Sequence, residues 1–193
     1  MAGTEGTGRW YGTTVLGVGW AAFDGLAGDN HPHAHHALQL AVADSGDVAV
    51  AVGGAEKTSA PGVLINSNVV HRLEPGRVRL FYIEASGNLG RALANQCGGG
   101  IRMLSDTERR EVLLRWREAS LSGPRPFLQA LGIAEAPAAP NSESVNRVDR
   151  IIASLARRLE DATSLTSLAA DAALSPSRFR HLVSERVGMP LRP

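Results

Sequence analysis

The spacing of hydrophobic residues changes its period along the chain. Between residues 10 and 84 apolar positions come in short β-branched runs: Trp10 to Phe23, Ala37 to Ala43, Val48 to Val52, Gly62 to Ile65, Val69 to Leu73 and Val78 to Glu84. Val48, Val50 and Val52 alternate with alanines, and Val78, Leu80 and Tyr82 share one face, which is the two-residue period of a strand. Turn signals separate the runs: a loop at Gly25 to Asn30, Asp44-Ser45-Gly46-Asp47, Gly53-Gly54 and Pro75-Gly76. Six or so short strands with such punctuation predict an antiparallel barrel or jelly roll. Trp20, Leu38, Leu40, Val50, Leu80 and Tyr82 are expected to line its interior, the default ligand site of a small barrel.

After residue 86 the period becomes helical. Leu89 to Gln96 predicts a short helix ended by Gly98-Gly99-Gly100. Asp106 to Leu121 predicts a longer one, with Ser105 and Glu108 placed for a capping box and Val112, Leu113, Trp116 and Leu121 on one face. Gly123 to Ile133 reads as a loop with one helical turn, and Glu135 to Pro140 (EAPAAP) as a linker. Val145 to Leu159 carries a helical stripe of Val148, Ile151, Ile152, Leu155 and Leu159. Two short helices follow between Leu165 and Gly188. Leu165, Leu168, Ala169 and Ala172 mark the first, and Phe179, Leu182, Val183 and Val187 the second. Ser175 is a natural N-cap, Pro176 suits the first helical position and Gly188 a helix end. Two helices around a tight turn have the layout of a helix-turn-helix, whose second helix enters a DNA major groove. The fold class is therefore α+β.

Composition adds little to this picture. Net charge is +1, so nothing global announces a polyanion partner. Residues 141–193 carry a net +2 and residues 1–140 a net −1, a tilt of the right sign for DNA but too small to argue alone. The one cysteine, Cys97, excludes an internal disulfide, fits a reducing compartment and reads as a small residue at a helix end. No signal peptide and no apolar run of about 20 residues is visible, so the expectation is a cytoplasmic protein without a membrane partner.

Five of the six histidines fall at His31, His33, His35, His36 and His71. An H-x-H pair with a distant third histidine is a pattern of transition-metal ligands. The arrangement resembles that of enzymatic cupins, which carry a Glu about four residues after the pair; Gln39 stands at that place, and a neutral amide is a poor replacement. Strand-end polar residues, contacts to a small ligand and a metal site all remain open for this cluster. The reading adopted has no metal, no cofactor and no catalytic residue, with His33, His35, Gln39, His71 and Tyr82 as candidate ligand contacts.

Three stretches together resemble the AraC/XylS family of bacterial transcription regulators: HPHAHHALQLAVA, APGVLINSNVVH and, most specifically, SLTSLAADAALSPSRFRHLVSERVGMP. The resemblance implies a cupin-like sensor barrel at 9–86, a helical dimerisation segment at 87–134, a linker at 135–144 and a helix-turn-helix region at 145–193. It implies sequence-specific recognition of double-stranded promoter DNA, possible tuning by a small effector, a homodimer and no enzymatic activity. Ser177, Arg180 and His181 match the base-facing positions, while Arg178 and Ser184 are better placed for phosphates. The family's DNA-binding domain has a second helix-turn-helix beyond a bridging helix, which this sequence lacks. The chain as written is therefore expected to bind an operator weakly or not at all. Two alternatives accompany this reading: a metal-dependent cupin enzyme using His33, His35 and His71, and a ligand-binding dimerisation module without DNA binding.

Overall fold

A computed structural model of the chain describes residues 9–134, 151 and 164–187. It divides into two compact units, residues 1–136 and 137–193. The expected linker and nearly all of the helix expected at 145–159 lie outside the described residues, as does everything after Val187.

The first unit is α+β with antiparallel sheets. Its strands are β1 (Tyr11–Gly17), β2 (Trp20–Ala27), β3 (Ala37–Val42), β4 (Val48–Val52), β5 (Thr58–Ala60), β6 (Gly62–Ile65), β7 (His71–Leu73), β8 (Gly76–Glu84) and β9 (Ile101–Leu104). Six form one sheet in the order β1-β2-β8-β3-β6-β9, and three form another in the order β5-β4-β7. Helices α1 (Asn88–Ala94), α2 (Asp106–Ser122) and α3 (Arg125–Ala130) complete the unit, with a 3₁₀ turn at Asn95–Cys97.

The strand β2 runs on to Ala27, pairing Gly25 with Val78 and Leu26 with Arg77, so the loop expected from Gly25 does not begin there. Gly25 is a strand glycine rather than a breaker. It lies opposite Gly12 of β1, and a Cβ on it would stand 2.2 Å from the Tyr11 carbonyl oxygen. Two strands were not anticipated. One is β5, which is short and polar. The other, β9, follows three glycines and pairs along β6 from Gly62↔Leu104 to Ile65↔Ile101.

Strand β3 is buried on both faces, and this decides the layering. Leu38, Leu40 and Val42 face one core with Leu64, Phe81 and Ile83, closed by Leu93, Val112, Trp116, Ala119, Phe127 and Leu128 of the helices. Ala41, Val63, Ile65, Val78 and Leu80 face the other core, between the sheets, with Val48, Val50 and Leu73. Trp20, Leu38 and Leu40 therefore belong to the helix-side core and not to a barrel interior, a correction to the expected lining. Alternation was the wrong guide here because helices cover what would otherwise be the outer face.

Helix α2 has the expected capping box: the Glu108 N–H donates to Ser105 Oγ, and the Glu108 carboxylate accepts from the Ser105 N–H at 2.8 Å. Val112, Trp116 and Ala119 are buried. Leu121, expected on the same face, is 76% exposed, because five residues past Trp116 carries a side chain about 140° round the helix. The single turn expected in 123–133 is a six-residue helix, α3, that buries Phe127 and Leu128.

Phe81 ties the sheet to its helices. Its ring stacks on Trp20 at 5.2 Å and meets Phe127 and Trp116 edge-on at 4.9 and 5.8 Å between centroids. Such pairs add to the area term of a fully buried aromatic. Replacing Phe81 with alanine should lower the unfolding free energy by about 3–5 kcal/mol. Urea denaturation followed by tryptophan fluorescence checks this, and a loss below about 1 kcal/mol would contradict the central role of this ring.

In the second unit, α4 (Leu165–Asp171) and α5 (Pro176–Val187) form a helical hairpin. Helix α4 starts on Ser164, whose hydroxyl accepts from the Ser167 N–H, and ends in a Schellman motif. The Ala173 N–H donates to Ala170 O at 2.8 Å and the Leu174 N–H to Ala169 O at 2.9 Å. Ala173 sits at φ +51°, where glycine is usual. The Arg178 N–H donates to Ser175 Oγ at 3.2 Å, so Ser175 caps α5 with Pro176 at its first position. Phe179, Leu182, Val183, Ala169 and Ala172 bury together, and Ile151 packs against them.

Candidate functional site

One group of metal-ligating side chains stands out among the described residues. His33, His35 and His71 bring one ring nitrogen each within 4.8 Å of one another. The backbone sets up this convergence. His33 and His71 face each other across an isolated β-bridge, each N–H donating to the other's carbonyl at 3.0 and 2.9 Å. Their rings therefore lie side by side, 4.8 Å apart. His35, two residues on, reaches the same side and lies 5.1 Å from His71.

Each ring is fixed by the same local device. Nδ1 of His33, His35 and His71 lies 2.9 Å from the carbonyl oxygen of His31, Ala37 and Val69 respectively, in every case two residues away. A carbonyl can only accept, so each Nδ1 carries a proton and donates it, leaving Nε2 of the neutral ring with its lone pair. Burial lowers the His71 pKa and favours its neutral form; the Val69 carbonyl opposes this, and the neighbouring His35 and His33 add to it.

Gln39 lies under the group and is buried, as is His71. Its side-chain oxygen position is 2.8 Å from His35 Nε2 and 3.1 Å from His71 Nε2. Both nitrogens are acceptors in the tautomers just derived, and an amide's two ends are alike in shape. These contacts are hydrogen bonds when the amide turns its NH2 toward the rings, one hydrogen to each. Gln39 then satisfies one buried and one half-buried imidazole at once.

Tyr82 closes one side, its ring 5.3 Å from that of His35, and burial raises its pKa. A cleft of about 350 Å³ opens beside the group, lined by Trp10, Asn30, His31, His33, Gln39, Leu73 and Tyr82. The five candidates of the first unit, His33, His35, Gln39, His71 and Tyr82, are thus brought together, whereas His31 and His36 stay outside the three-histidine group. Sequence reasoning missed Trp10 and Asn30; neither has a spacing signal. Chemically, three neutral imidazoles suit a borderline transition ion and not a hard cation such as magnesium.

The DNA-facing candidates sit together on α5. Ser177, Arg178, Arg180 and His181 are exposed on the side away from Phe179, Leu182 and Val183. Ser184 lies on the same helix, and its side chain is outside the described residues. Cys97 is buried, its thiol 3.7 Å from the carbonyl oxygens of Leu64 and Leu93. Burial raises its pKa to about 11, against a smaller opposing effect of Arg102.

No family model and no curated protein matches the sequence. Among solved structures, the chain is similar to ToxT from Vibrio cholerae (8% identity, 95% of this chain and 78% of that one, TM-score 0.45). It is also similar to the AraC-like transcriptional activator CuxR (10% identity, 86% and 67%, TM-score 0.38). An RmlC-like cupin from Shewanella frigidimarina covers a smaller part (17% identity, 38% and 85%, TM-score 0.28). Likeness at this level assigns no function. None of the described helices is long and apolar enough to cross a membrane.

Two outcomes follow from this geometry. Gln39→Leu removes the shared donor and should cost about 1–3 kcal/mol in chelator-treated protein; chemical denaturation measures it, and a neutral result would refute the two-ring role of the amide. Cys97 should resist alkylation by iodoacetamide at pH 8 in the native protein and react only on unfolding. Rapid native modification, seen by mass spectrometry, would contradict its buried, protonated state.

Proposed function

We propose that the chain is a DNA-binding transcription regulator of the AraC type, with the strand-rich first unit as a ligand-sensing part and α4–α5 as its DNA reader. The observation that supports this best is the helical hairpin. A Schellman turn delivers the chain directly onto a Ser-capped, Pro-started helix, and the exposed side of that helix carries Ser177, Arg178, Arg180 and His181. Its N-terminus offers backbone N–H groups to a phosphate. Arg180 has the geometry for guanine O6 and N7, and Arg178 for the DNA backbone.

Two partners belong to the same reading. Leu114 and Leu121, seven residues apart on α2, are 75% and 76% exposed. An apolar pair at that spacing fits a helix-mediated homodimer, which would present two readers at once and raise avidity. The cleft beside the three histidines is the place for a small effector.

The three-histidine group is the observation that favours a second reading, a metal-dependent cupin enzyme. Gln39 in place of a carboxylate and the helical hairpin speak for a regulator.

The reading is tested by selecting duplexes from a random library with this chain. A shared, guanine-containing element is expected, bound at micromolar levels, near the non-specific range of about 10⁻⁴–10⁻⁶ M at physiological salt. Arg180→Ala should lose about 1–3 kcal/mol of discrimination at one base pair. Arg178→Ala should instead weaken all duplexes alike and flatten the salt dependence. A selected pool with no common element, bound equally by Arg180→Ala, would overturn the proposal.

A further inference from the structure

The larger sheet of the first unit ends in a strand whose outer side meets nothing among the described residues. Strand β1 closes the order β1-β2-β8-β3-β6-β9 and pairs with β2 alone. We propose that β1 pairs antiparallel with β1 of a second copy of this chain, about a twofold axis at Thr14, which joins two six-stranded sheets into one.

An outer strand carries a row of backbone N–H and C=O groups without ladder partners, and folds usually blunt such an edge by shortness, charge or proline. The other edges of this unit are blunted in that way. Strands β5 and β7 have three residues each, and β9 has four with Arg102 among them. Strand β1 has seven residues, a span of about 24 Å. It holds no proline, and no charged residue lies between Arg9 and Asp24. Every residue of β1 is exposed, Tyr11 at 81% and Leu16 at 78%.

The sequence of β1 is complementary to itself in this pairing. Thr14 is its middle residue, so Thr14 meets Thr14, Thr13 meets Val15, Gly12 meets Leu16 and Tyr11 meets Gly17 of the second copy. Both large side chains fall opposite a glycine, and each glycine lies against a half-buried ring of β2. A Cβ on Gly12 would stand 2.8 Å from the Phe23 ring, and one on Gly17 would run into the Trp20 ring. The two rings serve opposite faces, Trp20 the helix-side core and Phe23 the core between the sheets. The second copy's Leu16 therefore lands beside Phe23 and its Tyr11 beside Trp20, and symmetry makes each contact twice. A large side chain set across from an edge glycine supplies the packing that the glycine lacks. A slip of two residues in either direction sets Leu16 opposite Trp10 or Thr14 and loses both matches. The backbone ladder supplies affinity, and the side-chain matches fix its register.

This interface is separate from the Leu114–Leu121 face of α2 and does not depend on α5 reading DNA. Its test is sedimentation velocity on untagged protein. Thr14 is exposed, so its substitutions should leave the circular dichroism spectrum unchanged. Thr14→Glu and Thr14→Lys each put like charges face to face across the axis, and each should halve the mass of the parent. An equimolar mixture of the two should restore it, because opposite charges then meet. The same loss and rescue are expected in Leu114→Glu and Arg180→Ala backgrounds, which separates this interface from a failure of the α2 pairing or of the DNA reading. A parent that stays at the monomer mass of 20.4 kDa up to about 100 μM would overturn the proposal. So would a mass that Thr14→Glu leaves unaltered, or a mixture of the two variants that does not reassociate.

Discussion

The first unit depends on one constraint: strand β3 is covered on both faces. Leu38, Leu40 and Val42 lie under the helices, and Ala41 lies between the sheets. A strand in that position can bury apolar side chains on either side at no polar cost, since its backbone groups are paired with β6 and β8. Gln39 is the exception. A buried amide brings two donors and an acceptor that must all find partners. The two imidazoles above it take up both donors, and the amide in turn satisfies their lone pairs. The polar site and the apolar strand are thus one solution to one accounting problem.

The same logic explains how His33 and His35, from a segment with little regular structure of its own, meet His71 at the start of β7. Residues 31–36 are tied to β7 by the paired backbone hydrogen bonds of His33 and His71, and the Asn68 N–H donates to the His35 carbonyl at 2.8 Å. With these bonds, two rings are locked at the separation of facing antiparallel residues, and the third is fixed by its own chain direction. The ionic network elsewhere on the sheet has a humbler role. Arg77 and Arg79 pair with Asp24 and Asp44 at 2.6–3.6 Å on the partly exposed side, and pairs of that kind contribute little each.

Much of this was legible in the sequence for identifiable reasons. Strands with clear alternation, such as Val48–Val52, and the capping box at Ser105 depend on local signals, and local signals survive into the structure. The Ser175–Pro176 helix start is of the same kind. What failed depended on context. Gly25 resembled a breaker until its partner Gly12 was known, and Leu121 looked inward until the helix phase was counted from Trp116. Leu38 and Leu40 were assigned to the wrong core because alternation tells two faces apart without saying which one is covered by helices. His33, His35, Gln39, His71 and Tyr82 were named together as candidates, but nothing in the spacing could reveal the shared tautomer or the double role of Gln39.

The choice of glutamine over a carboxylate at position 39 bears on what kind of site this is. A glutamate there would be buried beside His35 and His71, and it would have to stay protonated or draw protons onto those rings. Glutamine removes that dependence: the amide satisfies two neutral rings. On this physical ground the amide at position 39 lets His35, His71 and Gln39 stay paired with no charge buried among them.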